Sequence, residues 1–246
     1  MPLRNYFPLL TLAVVAIGIL LCLIPLVQRR DILGGLLLSP GSTLDDLVAR
    51  PDWVGPLFLV TTMGLLILLG MLAQAGQLIA GMPIAALILT FPIAVGCMLA
   101  LVYALWLGRA ATIWLAARTT GQQTAFFPLL CTVGYASMPE YLLGSVAMVL
   151  TIASGASQAS GFVSSTPTSL GFLLSHETMG NPLLSSIASN IELFHLWSLA
   201  LIVLGLQRLF AISRNQAAII VVVYWTVSAL IFAGFMALAN AIPTFF

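Results

Sequence analysis

The run ILTFPIAVGCMLALVYALWLGRAATIWLAA, residues 88–117, decides the fold, because its one charge is Arg109. An α-helix needs about 20 predominantly apolar residues to cross a hydrocarbon core about 30 Å thick. This run is longer than one crossing, with Pro92 near its start, and is expected to tilt or project past the membrane. Arg109 lies toward its end and is expected to snorkel to the interface. Five further runs, at about 6–27, 53–73, 126–153, 188–210 and 216–241, bring the total to six spans. The expected architecture is therefore all-α: a polytopic transmembrane helical bundle.

Composition agrees with that reading. The chain is 61% hydrophobic and 6% charged, with a mean hydropathy of +1.13, whereas soluble domains carry about a quarter charged residues. A soluble enzyme, a disordered chain and a secreted disulfide scaffold are excluded. Every one of the eight cations is an arginine and the net charge is +1, so neither a basic nucleic-acid surface nor a P-loop lysine exists. No nucleic-acid partner, nucleotide or other cofactor is expected. Cys22, Cys97 and Cys131 fall in apolar runs at spacings matching no metal or redox motif, and read as small hydrophobes.

Arginine placement sets the expected orientation. Arg29, Arg30 and Arg50 flank the first connection, Arg109 and Arg118 the third, and Arg208 and Arg214 the fifth; Arg4 stands alone on the other side. Positive-inside reasoning puts those three connections in the cytoplasm and both termini on the non-cytoplasmic side. Residues 1–30 then form a retained N-terminal membrane anchor helix, since the run to Val27 spans and lacks an Ala-x-Ala cleavage site. Residues 31–52 form a cytoplasmic interfacial segment. In it Ser42 or Thr43 is expected to cap a short helix, with Asp46 in capping-box position. Leu44, Leu47 and Val48 share one face and Asp45, Asp46 and Arg50 the other. This is either an amphipathic helix under the bilayer or an ordinary capped turn. Trp53, Trp106, Trp114, Trp197 and Trp225, with Phe126, Phe127, Phe245 and Phe246, are expected to sit mostly near span ends, as interfacial belts require. The external loop 154–187, with Phe162, Leu170, Phe172, Leu173 and Leu174, either dips into the outer leaflet or plugs a cavity, or is a surface loop.

Three stretches carry a family resemblance. Gly134-Tyr135-Ala136-Ser137-Met138-Pro139, after the polar turn Thr119-Thr120-Gly121-Gln122-Gln123, resembles the Gly-Tyr...Pro element of the Yip family (Ypt/Rab-interacting proteins, Yip-one domain). The pattern from Leu183 to Trp225 resembles that family's last two helices. Asp52-Trp53-Val54-Gly55-Pro56-Leu57 is similar to the Asp-Leu-x-Gly-Pro motif of eukaryotic members. The resemblance implies a five-span membrane domain over 53–246, to which the helix 6–27 is an addition. It assigns structural roles to Asp52, Gly55, Pro56, Gly134, Tyr135 and Pro139. It further implies a multi-pass protein of the prokaryotic inner membrane, associating with the lipid bilayer and with protein partners or itself, and it supplies no reaction.

Ionisable groups inside a membrane tend to face the bundle interior or a cavity. Glu140, Glu192 and His195 qualify. Glu140 follows Pro139, whose missing N–H frees the Tyr135 carbonyl, a broken-helix arrangement that transporter sites use. Helical rise places Glu140 about 21 Å from the cytoplasmic end of its span, and Glu192 and His195 about 5 and 9 Å from the outer end. Glu192 and His195 are spaced to share one helical face, with His176 and Glu177 available from the loop. These ligand types would suit Zn or Fe, but one Glu-x-x-His is too few for a di-iron site and no His-Glu-x-x-His helix exists. The bland reading has Glu140 hydrogen-bonded to a hydroxyl or Tyr141, and Glu192 and His195 near external water. No Gly-x-Ser-x-Gly elbow or Ser/His/Asp trio exists.

Two functions therefore stand. One is a non-catalytic membrane scaffold or adaptor, which expects Glu140→Gln to be tolerated and Leu44, Leu47 and Val48 to serve partners. The other is a transporter, channel or lipid-handling protein built on Glu140, Glu192 and His195, which expects the reverse.

Overall fold

A computed structural model describes residues 7–74, 83–119, 121, 125–153, 170 and 191–241. Arg4, His176, Glu177 and, apart from Leu170, the 154–187 loop with its apolar residues lie outside the described residues. The described residues form nine α-helices and one π-helical turn, with no β-strand. They are α1 (Phe7–Gln28), α2 (Arg30–Leu38), α3 (Pro40–Ala49), α4 (Val54–Gln74), α5 (Ile84–Arg118), α6 (Phe126–Ala136), the π-turn Pro139–Gly144, α7 (Ser145–Ala153), α8 (Leu193–Phe210) and α9 (Arg214–Ala241).

Val54–Leu72, Ile88–Arg118, Leu193–Phe210 and Arg214–Ile231 are long and apolar enough to cross a membrane. At about 1.5 Å per residue, the 22 residues of α1 reach about 33 Å. α5 begins four residues ahead of its apolar run, on the extended Pro83, and its 35 residues reach about 52 Å. The outward faces are apolar: Leu20, Leu89 and Ile231 are each more than 60% exposed. Thr62, Thr132, Ser137 and Ser198 are buried instead. A surface of large aliphatic side chains around a partly polar interior is what a hydrocarbon solvent selects.

Neighbouring helices run antiparallel, as contacts at constant residue-number sum show. Gly18 meets Leu65 between α1 and α4, where Val15, Cys22, Leu65 and Leu68 form a small core. Thr61 meets Tyr103, and Gly64 meets Leu99 and Val102, between α4 and α5. Trp106 meets Gly134, and Trp114 meets Phe126, between α5 and α6. Thr132 lies against Gly205, and the Glu140 amide against Ser198, between the α6/π-turn span and α8.

The segment between α1 and α4 folds into two helices. α3 begins at Pro40 rather than after Ser42 or Thr43, because proline's fixed φ and missing N–H suit the first helical position. Thr43 donates its hydroxyl back to the Ser39 carbonyl (3.1 Å) instead of capping. Leu44 and Leu47 do share a face, and that face is buried in protein: Leu44 is part of the main core and lies by Gly205 on α8. Asp45 and Asp46 are exposed, and Asp45 pairs with Arg208 (3.5 Å). The two leucines are core residues, so their substitution perturbs packing before it perturbs any partner.

The α8–α9 turn is fixed by local chemistry. Ala211 closes α8 in the left-handed region (φ +50°). Ser213 and Gln216 form a reciprocal capping box at the start of α9: the Gln216 side chain accepts from the Ser213 amide (3.1 Å) and Ser213 Oγ accepts from the Gln216 amide (3.3 Å). Two of these aromatics lie away from helix ends. Trp106 is buried in mid-helix over Gly134, where the glycine leaves room for an indole, and Trp225 lies 11 residues into α9 with its Nε1 buried.

Candidate functional site

The Asp52–Pro56 and Gly134–Pro139 motifs meet. Asp52 accepts hydrogen bonds from Arg29 Nε (2.5 Å), Tyr135 Oη (2.6 Å) and the Val54 amide (2.9 Å), the last starting α4. Arg29 also donates to the Pro25 carbonyl (3.2 Å), fastening the end of α1 to this junction. Gly55 lies under the Tyr135 ring, and a Cβ there would collide with Oη and Cζ. A Cβ on Gly134 would collide with Pro56. The two glycines are needed for close approach, and the Asp–Tyr bond locks that approach. Partial burial pushes the Asp52 carboxyl up, but the bonds from Arg29, Tyr135 and the Val54 amide outweigh it and hold it below the usual carboxylate value. The same pair, led by the Asp52 hydrogen bond, raises the Arg29 guanidinium above its ordinary value.

A second constellation lies deeper. Arg109 on α5 is not at the interface: its Nη1 and Nη2 donate to Glu140 Oε2 and Oε1 (2.8 and 2.9 Å), a bidentate pair. Nη1 also donates to Ser137 Oγ (2.8 Å) and Nε to Tyr224 Oη (2.8 Å). The guanidinium lies 5.6 Å from the ring centres of Tyr141 and Tyr224. His195 Nδ1 is 3.1 Å from Glu140 Oε2. The side chains of Arg109 and Glu140 are 9% and 18% exposed, so the pair is largely withdrawn from solvent. Contributions come from α5, the broken α6/π-turn span, α8 and α9. Arg109 lies about 14 Å along α5 from Arg118, and Tyr224 about 15 Å along α9 from Arg214, which puts the cluster well inside the apolar helices.

Pro139 explains why Glu140 reaches this point. With no amide at Pro139 the helical ladder opens into the π-turn. The Glu140 amide is then taken by Ser198 Oγ of α8 (3.1 Å), while Ser137 Oγ donates to the Val133 carbonyl (2.8 Å).

Of the three expected site residues, Glu140 and His195 come together. Glu192 does not join them through a shared helical face: its backbone is extended (φ −115°, ψ 141°), and it precedes α8 as cap rather than lying within it. Its carboxylate instead approaches Gly144, at the end of the π-turn. Among the described residues no group of three or more His, Cys, Asp or Glu side chains is placed to hold a metal. The residue missed from the sequence is Arg109. Its signal was present: it is the one charge in a span, and the next span carries the opposite charge.

The model of the Yip1 domain family matches residues 34–236, most of the chain. The chain therefore belongs to the Yip family of membrane proteins. The match takes in α3 to most of α9, including both constellations except Arg29, and leaves α1 outside. No curated protein and no solved structure matches the chain.

Proposed function

We propose that this protein is a non-catalytic, multi-pass scaffold or adaptor of the inner membrane, organising protein partners or the bilayer rather than turning over a substrate. The observation that supports this reading is the closed bonding of the intramembrane charges. Arg109 uses four of its five N–H groups on Ser137, Glu140 and Tyr224, and Glu140 answers it bidentately. Buried ionic groups so arranged hold a particular helix packing. In this reading both termini are non-cytoplasmic, residues 1–30 anchor, 31–52 form the cytoplasmic interfacial segment, and 53–246 form the five-span domain.

The alternative is a transporter, channel or lipid-handling protein around Glu140, Glu192 and His195. It is supported by the π-turn and by the titratable His195, whose Nδ1 is 3.1 Å from Glu140 Oε2.

The test is photo-crosslinking in native membranes from the exposed positions Leu20, Leu105 and Ile231. The scaffold reading expects discrete adducts of defined mass from at least one face, lost when neighbouring exposed residues on that face are changed and the fold is kept. Adducts to lipid alone from every face would contradict it.

A further inference from the structure

A groove of about 340 Å³ opens on the membrane-facing side between α8 and α9. Its walls are apolar, and the short α8–α9 turn makes the helices antiparallel, so that helical periodicity matches Val203 with Ala218, Ala200 with Val221, and Leu196 with Trp225. Helical periodicity puts the next rung toward the α8–α9 turn at Gln207, one turn beyond Val203, and Arg214, one turn before Ala218. Both side chains lack a protein partner among the described residues. Asp31, Asp45, Asp52 and Glu140 are each paired with other arginines.

We propose that this groove binds one anionic phospholipid of the arginine-side leaflet, with its phosphate at Arg214 and Gln207 and an acyl chain lying along the groove to Trp225.

Charge and length both select that occupant. From Arg214 to Trp225 is 11 residues, about 16 Å, which is about half of a hydrocarbon core of about 30 Å. One leaflet's acyl chain has that reach. Arg214 opens α9, so its guanidinium stands at a helix N-terminus whose field also favours an anion. Cations at this boundary attract anionic headgroups. A zwitterionic lipid brings an ammonium that opposes the same field, so the site discriminates by headgroup. An apolar groove without the cation would take any chain. A cation without the groove would take any phosphate.

The experiment is native mass spectrometry of detergent-purified full chain titrated with phosphatidylglycerol, with phosphatidylcholine of identical chains, and with free glycerol phosphate. Arg214→Gln and Ala200→Phe are titrated in parallel, the latter filling the groove. The wild type is expected to hold one phosphatidylglycerol about fivefold more tightly than phosphatidylcholine. Arg214→Gln removes that preference, Ala200→Phe weakens both lipids, and glycerol phosphate does not compete. Equal binding of the two lipids, or an unchanged Arg214→Gln, overturns the headgroup assignment. Competition by glycerol phosphate at lipid concentrations assigns the cation to a free anion and overturns the proposal. A doubled mass abolished by Ala200→Phe would show that a second copy fills the groove, which also overturns it. Should Ala200→Phe not fold, quenching decides. Trace dibrominated phosphatidylglycerol in phosphatidylcholine vesicles must quench Trp225 more than dibrominated phosphatidylcholine does, and a Trp225→Phe variant must lose the excess; equal quenching refutes chain placement.

Discussion

Glu140→Gln keeps the side chain's shape and removes its charge, leaving the buried Arg109 with only neutral acceptors: the remaining amide oxygen at position 140, Ser137 and Tyr224. Two opposite charges about 4 Å apart interact by about 4 kcal/mol at an effective dielectric of 20. Breaking one side of a buried pair typically costs about 3–5 kcal/mol. The substitution is therefore expected to lower the unfolding free energy of the bundle by about 3–5 kcal/mol, measured by SDS titration in mixed micelles. This replaces the sequence-based expectation that the substitution would be tolerated under a scaffold role. The informative control is Arg109→Leu combined with Glu140→Leu, because exchanging a whole buried pair for apolar groups is often neutral. The double variant should be more stable than either single variant, with a coupling of at least about 2 kcal/mol. Additive losses, or a Glu140→Gln variant within about 1 kcal/mol of wild type, would refute the claim that this pair is a buried, mutually dependent unit.

Four further outcomes follow from the same geometry. Gly55→Ala and Gly134→Ala should each destabilise by about 1–3 kcal/mol in the same titration, since each new methyl collides with a packed neighbour; no measurable loss would deny the close junction. Ala211→Gly should raise the thermal midpoint by relieving about 1 kcal/mol of left-handed strain, whereas Ser213→Ala should lower it by removing a cap of about 1 kcal/mol. Asp52→Asn should narrow its stability gap to wild type in acid. The Asp52 carboxyl is held below the usual carboxylate value, so its contribution is present above that ordinary value and lost as pH falls through the lower folded one. A gap that is constant from neutral pH to pH 3 would contradict the Asp52–Arg29–Tyr135 bonding.

Most of the scaffold was legible because membrane solvation writes itself into long apolar runs. The runs at 53–73, 126–153 and 216–241 reappear as α4, the α6/π-turn/α7 span and α9, each shifted by at most two residues at its start. The fifth span begins at Leu193 rather than near 188, since Glu192 is extended and hydropathy does not see a cap. α2 escaped notice because Arg30–Leu38 carries two adjacent glycines and no capping signal. The motif residues Asp52, Gly55, Pro56, Gly134 and Tyr135 were singled out by resemblance. That the Asp–Gly–Pro and Gly–Tyr elements bind one another is a tertiary fact with no local signature. The deep cluster was half legible: Pro139 marked the broken turn and Glu140 the charge. Arg109 was read alone and sent to the interface, whereas the two consecutive antiparallel spans supply each other's counterion.

The Arg109–Glu140–His195 group is either a closed clamp or part of a conduction path. The most direct measurement is proton and small-solute flux across proteoliposomes under an imposed pH gradient, comparing wild type, His195→Ala and protein-free vesicles. A clamp predicts flux from wild-type vesicles equal to that of protein-free ones, and no change on His195→Ala. Wild-type flux well above the protein-free level, abolished by His195→Ala in a variant that remains folded, would contradict the clamp and establish the transport reading.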